Sequence, residues 1–327
     1  MIACEVIARS WTLTEPFEIA GRVFHAQPVI VVTLRDEQGH CGRGEAAGVD
    51  YAGETVESMM AQIRALAHPF LDMAQLQRVC LNLPAGGARN ALDCAMWDLH
   101  AKQLGTPAWQ RAGLKRPMPL KCVYTIGLGS IEDVQRKALQ AREYDLLKVK
   151  VDAERHVDQV RAVRAVRPDA RIMVDANQGW TLDLTRALLP QLRLLGVEMV
   201  EQPLPQGQDE ELRGLNDAML LATDESCTTV DSLERLVGCY QMVNIKLDKT
   251  GGLTEALRMA QCAKMLGLEV MVGNMCGSSL AMAPAALVGQ LCRYVDLDGP
   301  LLQIEDCEHG LVYRNGCVEP PEPALWG

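Results

Sequence analysis

Five short runs decide how this chain folds: LLKVKV at 146–151, RIMVDAN at 171–177, VEMVEQP at 197–203, LLATDES at 220–226 and MVNIKLD at 242–248. Each is an apolar run that ends in or beside a charged residue. Amphipathic stretches separate them, so strands alternate with helices as parallel βα units require. Working outward, CVYTIG at 122–127 comes before them, and LEVMVGN at 268–274 and YVDLDGP at 294–300 follow. Eight successive strands with helices between them predict a closed parallel barrel in preference to an open doubly wound sheet. Such a barrel gathers its chemistry at the carboxyl ends of its strands.

Upstream the texture changes. Strand-like runs at 1–10 and 28–34 flank a stretch containing Pro16 and Gly21, and a polar turn, DEQGH, follows. Helical patterns come next at 54–71 and 89–103, the second with Leu92, Ala95, Met96 and Leu99 at helical period. We therefore expect an α+β cap over residues 1–115, a barrel over 116–304, and a final segment, 305–327, returning to the cap.

Composition bounds the function. With 327 residues, 48% hydrophobic and 23% charged, the chain can bury large cores and remain an ordinary globular protein. Its 42 acidic against 32 basic residues, a net charge of -10, provide no basic footprint for nucleic acid or an anionic membrane, which leaves small polar molecules as partners. Neither a leader pattern nor a membrane-length apolar run is seen, so a cytoplasmic location is expected, with homo-oligomerisation left open. The twelve cysteines are scattered without a CxxC pair and read as reduced core residues, and the six histidines lack HExxH spacing. Any metal here should be held by oxygen.

The strand ends carry that oxygen. Asp175, Glu201 and Asp224 close three consecutive strands, so a barrel brings them together, where they would repel one another without a cation. Taken singly, each reads as a helix cap or turn residue; together, hard carboxylate ligands suit Mg2+. Lys148 and Lys150 are two apart on one strand and so share a face, which apolar neighbours on both sides place inside the barrel. Lys246 stands in the same setting four strands later, on the opposite wall. Like charge and burial are expected to lower the lysine pKa values and suit one lysine to act as a base. Asp296 and Asp298 share a face at the rim of the same cavity. A carboxylate pair beyond a cationic cluster prefers a substrate with one cationic and one anionic end. Lys249, Gly251 and Gly252 do not fit a phosphate-loop pattern and read as a βα turn.

KVK, VDAN, EQP, ATDES and NIKLDKTGG, in this order, resemble the muconate-lactonizing subgroup of the enolase superfamily, as does RNALDCAMWDLHAKQLG at 89–105. The resemblance implies an α/β fold, a (β/α)7β TIM-like barrel under an α+β capping domain. It also implies Mg2+ on Asp175, Glu201 and Asp224, acid/base lysines at Lys150 and Lys246, and Lys148 near a substrate carboxylate. Within the subgroup, a DxD on the last strand is similar to that of dipeptide epimerases, where it binds the α-ammonium of a dipeptide; here the positions are Asp296 and Asp298. Thr125, Asn274 and Cys276 resemble substrate-lining positions. In the Ala-Glu epimerases an arginine after the first strand pairs with the substrate's side-chain carboxylate. Phe24 stands at that point here, with Arg22 two residues away, which favours an uncharged or apolar partner.

The same fold offers alternatives: o-succinylbenzoate synthase, N-acyl amino acid racemase or muconate cycloisomerase, none of whose substrates would bring an ammonium to the DxD pair. Acid-sugar dehydration is disfavoured because no histidine falls between His156 and His309. A metal-holding binding barrel without catalysis is the alternative from another class, and the lysines on both walls argue against it.

Overall fold

The computed structural model describes residues 1–19, 22–66, 69–215 and 219–327, with Arg22 described in its backbone only. The chain opens with an antiparallel hairpin, β1 (Ile2–Ile19) and β2 (Arg22–Asp36), extended by β3 (Cys41–Ala46). It then runs through α1 (Val56–Arg64), α2 (Met73–Asn82), α3 (Gly87–Leu104) and a short α4 (Ala108–Arg111). After β4 (Leu120–Lys121) come β5 (Tyr124–Ile126), α5 (Ile131–Gln140), β6 (Leu146–Lys150), α6 (Val157–Val166), β7 (Arg171–Asp175), α7 (Leu182–Leu194) and β8 (Val197–Glu201). The alternation continues with β9 (Leu220–Thr223), α8 (Leu233–Leu236), β10 (Met242–Ile245), α9 (Leu247–Thr250), α10 (Leu253–Met265), β11 (Glu269–Val272), α11 (Ser279–Gly289) and β12 (Tyr294–Val295). A terminal ribbon, β13 (Tyr313–Arg314) and β14 (Cys317–Val318), pairs back onto β4.

Strands β5 to β12 form one eight-stranded parallel sheet in sequence order. It curls until its ends meet, where Cys122 bridges Val295 and the Val123 amide donates to the Val295 carbonyl at 2.8 Å. The barrel under a cap expected from the sequence is the architecture observed. Two-residue alternation explains the interior. Leu146, Met173, Met199, Ala222, Met242, Met271, Tyr294 and Val123 point inward and form a buried apolar floor. Two residues further along β6, β7, β8 and β10, the same inward face carries Lys148, Asp175, Glu201 and Asn244. Outward residues such as Leu147, Val149, Ile172, Val174 and Val200 belong to the layer shared with the helices.

The cap has its own core of Ile30, Val32 and Leu34 on β2 against Leu92, Ala95, Met96 and Leu99 of α3. α3 is buried on more than that face, because Cys94 and Ala101 pack into the barrel core. β3 lies directly on α3: a Cβ at Gly42 would sit 2.3 Å from the Ala95 carbonyl oxygen, and one at Gly44 2.2 Å from that of Ala91. Two local expectations change. The helix expected at 54–71 stops at Arg64, since Phe70 exchanges two backbone hydrogen bonds with Ile2 at the sheet edge, at 2.8 and 2.9 Å. The strand expected to end at Ser10 continues to Ile19 through a register shift between Thr12 and Phe17, which bulges Leu13–Pro16 out of the hairpin. Leu13 then bridges Gln303, and Phe17 becomes the cross-strand neighbour of Phe24.

Candidate active site

Buried carboxylates fasten the cap over the barrel mouth. Glu45 of β3 accepts from the Ser278 amide at 2.6 Å, its hydroxyl at 2.7 Å and the Trp11 indole at 3.3 Å. Asp248 accepts from the amides of Ala47 and Gly48 at 2.9 and 3.0 Å, and Asp93 of α3 binds the hydroxyl and amide of Thr254 at 2.6 and 2.9 Å. Burial pushes Glu45 up to about 7, and Asp248 and Asp93 each to about 6. Above the mouth, the β1–β2 hairpin is tied down where the Leu128 amide donates to the Glu18 carbonyl at 3.0 Å and Arg155 pairs with Glu18 at 2.6 Å.

Beneath it lies a cavity of about 430 Å³ with two kinds of wall. Its polar side includes Lys148, Lys150, Asp224, Lys246, Asp296 and Asp298, with Thr125, Asn274 and Cys276 at its edges; its apolar side is built from Leu13, Phe17, Ile19, Phe24, Met275 and Leu302. The cavity thus collects every proposed substrate residue whose side chain is described; the side chain of Arg22 lies outside the described residues. Asp175 and Glu201, fully buried, sit directly below it.

Lysines hold the acids together. The Lys148 ammonium lies 3.0 Å from Asp175, 2.9 Å from Glu201 and 2.9 Å from Asp296. Lys150 reaches Asp175 at 2.7 Å and Asn177 at 3.0 Å, and on the opposite wall Lys246 reaches Asp224 at 2.7 Å. The lowering of the lysine pKa values is expected for ammonium groups facing each other over a cation; the acids by themselves act the other way. Burial opposes the charge on Lys246 and Lys148, but the carboxylates around each outweigh it and raise both. Conversely, burial alone would raise Asp224 and Asp175, and the neighbouring lysines pull both below the usual carboxylate range.

The two last-strand acids differ. Asp296 is committed to Lys148, whereas Asp298 accepts from the Thr125 amide at 2.6 Å, the Thr125 side chain and the Asn274 amide group at 3.3 Å. Burial, and then the Asp296 charge, raise its pKa.

Several residues to which the sequence assigned no role in the site complete the cluster. Asn244 donates to Glu201 at 2.7 Å; it sits two before Lys246, so the alternation that found the lysine could have found it. Lys249 bonds Asp224 at 2.6 Å and the Asn244 carbonyl at 3.0 Å, a fully buried ammonium where the sequence indicated only a turn. Glu225 accepts from Asn177 at 3.3 Å and is raised by burial and by Asp224.

A divalent cation fits this set. Among the described residues, six buried carboxyls, Asp175, Glu201, Asp224, Glu225, Asp296 and Asp298, face four buried ammonium groups, Lys148, Lys150, Lys246 and Lys249. Carboxyls outnumber ammonium groups here, and an added cation would favour the ionised forms of Glu225 and Asp298, which burial raises. Glu201 Oε2 and Asp224 Oδ2 are buried, have no hydrogen bond and are approached only by ammonium groups. The donors are all hard oxygens. No three acidic, cysteine or histidine side chains among the described residues already stand at ligand spacing, so the acids would shift toward an incoming ion.

Comparison with known proteins agrees with the geometry. Residues 1–113 match the mandelate racemase / muconate lactonizing enzyme N-terminal domain, and residues 131–324 the enolase C-terminal domain-like family. The chain belongs to the enolase superfamily. This superfamily member is 41% identical to an N-acetyl-D-glutamate racemase of Pseudoalteromonas sp, over 91% of this chain and 95% of that protein. It is 38% identical to an L-Ala-D/L-Glu epimerase of Escherichia coli K12, over 97% and 99% respectively. The dipeptide epimerase of Methylococcus capsulatus, solved with Mg and L-Arg-D-Lys, superposes with a TM-score of 0.90 at 31% identity, covering 99% of this chain and 98% of that one. The resemblance to dipeptide epimerases drawn from the motifs is thereby borne out, and the chain is an isomerase.

Proposed function

We propose that the chain epimerises dipeptides at the α-carbon of the C-terminal residue, with Asp175, Glu201 and Asp224 holding Mg2+ and Lys150 and Lys246 moving the proton. Asp298 carries this reading: a buried carboxylate without a cationic side-chain partner among the described residues, lining the same cavity as the lysines. The amino end of a dipeptide would supply the missing cation. Bound among the three acids, Mg2+ supplies positive charge beside the substrate carboxylate, where negative charge develops as the α-proton leaves.

The remaining steps belong to the protein's own groups. Lys148 fixes Asp296 and flanks the same carboxylate. Once the acids are engaged by a cation they would no longer hold the lysines protonated, so a neutral lysine on one wall takes the α-proton as the Cα–H bond breaks, and the ammonium on the opposite wall gives a proton to the other face, which inverts the centre. Thr125 and Asn274 orient Asp298. The apolar roof, with Phe24 central, faces the substrate side chain and favours an uncharged or apolar one.

A second reading has a specific observation in its favour. One relative acts on an N-acetyl amino acid, and a raised Asp298 can stay protonated and donate to an acyl carbonyl. Incubating a dipeptide library and the matching N-acetyl amino acids in D2O, with mass spectrometry of each, separates the two. Deuterium entering free dipeptides supports dipeptide epimerisation, whereas deuterium confined to the acetylated set would replace it with racemisation.

A further inference from the structure

Behind the roof lies a second, smaller cavity of about 100 Å³. It shares Phe17, Thr125 and Leu302 with the main cavity, so these three residues form the wall between the two. The bulge in β1 positions that wall. By looping Leu13–Pro16 out, it lets the Thr14 hydroxyl donate to the Leu302 carbonyl at 3.2 Å and lays the Phe17 ring on the end of β5. The packing there is close, since a Cβ on Gly127 would sit 3.2 Å from two ring carbons of Phe17. Thr125 is also the residue whose amide holds Asp298 at 2.6 Å. The wall therefore stands immediately beside the carboxylate assigned above to the substrate's amino end. Its far side is polar: Tyr124 is half-buried there, and Lys137 is 3.3 Å from Glu15.

We propose that Phe17 and Leu302 are a partition that sets the size of the N-terminal residue, and that the small cavity behind them is space that a longer polar side chain gains only when the wall is opened. The inference rests on the dipeptide reading. With the ammonium at Asp298, the side chain on the same carbon must lie within a bond or two of Thr125, and the partition is the nearest obstacle in that direction. Wild-type enzyme then takes Gly or Ala at this position and discriminates against longer residues. Opening the wall gives a longer chain space that ends in hydrogen-bonding groups.

The test compares kcat/KM for Ala-Leu, Gln-Leu and Leu-Leu in the wild type and Phe17→Ala. A wall that excludes a few methylenes is worth about tenfold or more. Wild type should prefer Ala-Leu over Gln-Leu by at least about tenfold, and Phe17→Ala should narrow that ratio by a similar factor, with a larger gain for Gln-Leu than for Leu-Leu. Leu302→Ala opens the same partition from the barrel side and is read if Phe17→Ala does not fold. An unchanged ratio in both opened variants would overturn the partition, and equal gains for Gln and Leu would overturn the preference of the opened space for a polar side chain. Failure of wild-type enzyme to label any dipeptide would instead remove the proposed function on which the inference stands.

Discussion

Glu45→Gln should reverse its effect on stability across a few pH units. In the folded protein Glu45 is raised from 4.5 to about 7 by burial, which its three hydrogen bonds offset only in part. Between those two values the native state binds a proton that the unfolded chain does not. The stabilisation is therefore fully present below about 4.5 and is lost as the pH rises through about 7. At about 1.4 kcal/mol per pKa unit, the loss is about 3 kcal/mol. Glutamine lacks this slope. It can still accept from the Ser278 amide, but its NH2 cannot accept from the Trp11 indole, and a buried donor left unmatched costs about 1–3 kcal/mol. The variant should thus be less stable than wild type at pH 5 and equal or more stable at pH 8. For a chain of this size, about 2 °C of melting temperature per kcal/mol makes the swing between the two proteins about 6 °C. Thermal unfolding of both at pH 5, 6, 7 and 8 reads it directly, because the difference between them cancels every other titrating group. Parallel curves, with the same gap at every pH, would refute the reasoning.

The other predictions concern chemistry. Lys150→Ala and Lys246→Ala should each abolish inversion in both directions while allowing one epimer to exchange its α-proton with D2O; wild-type racemisation by both variants would remove the two-base assignment. Asp175→Asn, Glu201→Gln and Asp224→Asn should each abolish activity at ordinary Mg2+ with the circular dichroism spectrum unchanged, and full wild-type activity in EDTA would sink the metal proposal. Asp298→Asn should weaken binding of free dipeptides by about 2–5 kcal/mol, roughly 30- to 4,000-fold, and narrow the preference over N-acetylated substrates. Equal turnover of free and acetylated substrates by wild type would show that Asp298 is not an ammonium site.

What the sequence could reveal followed from local periodicity. Lys148, Lys150, Asp175 and Glu201 were legible because a strand's two-residue repeat carries inward polar residues past an outward apolar pair, and the structure keeps that repeat. The roles of Lys249 and Glu45 were not legible. Lys249 reaches Asp224, 25 residues away, and Glu45 meets Ser278, 233 residues away, so neither local run holds both partners. The pairing of Asp296 with Lys148 was hidden for the same reason, which made a DxD look like two equal carboxylates. The hold of the acids on Lys148 and Lys246 was not legible either, because each ammonium meets carboxylates from other strands. The β1 bulge escaped because Pro16 reads as an interruption, and only the pairing of Phe17 with Phe24 shows that the strand resumes.

The placement of α3 has a mechanical consequence. One side of this helix completes the cap's core and another the barrel's, with β3 pressed onto its backbone. A clamshell motion that swung the cap away would have to tear one helix out of two packed interiors at once, so the two layers should melt together and lack a working hinge between them. Cross-linking the cap to the barrel at α3 should then leave catalysis intact.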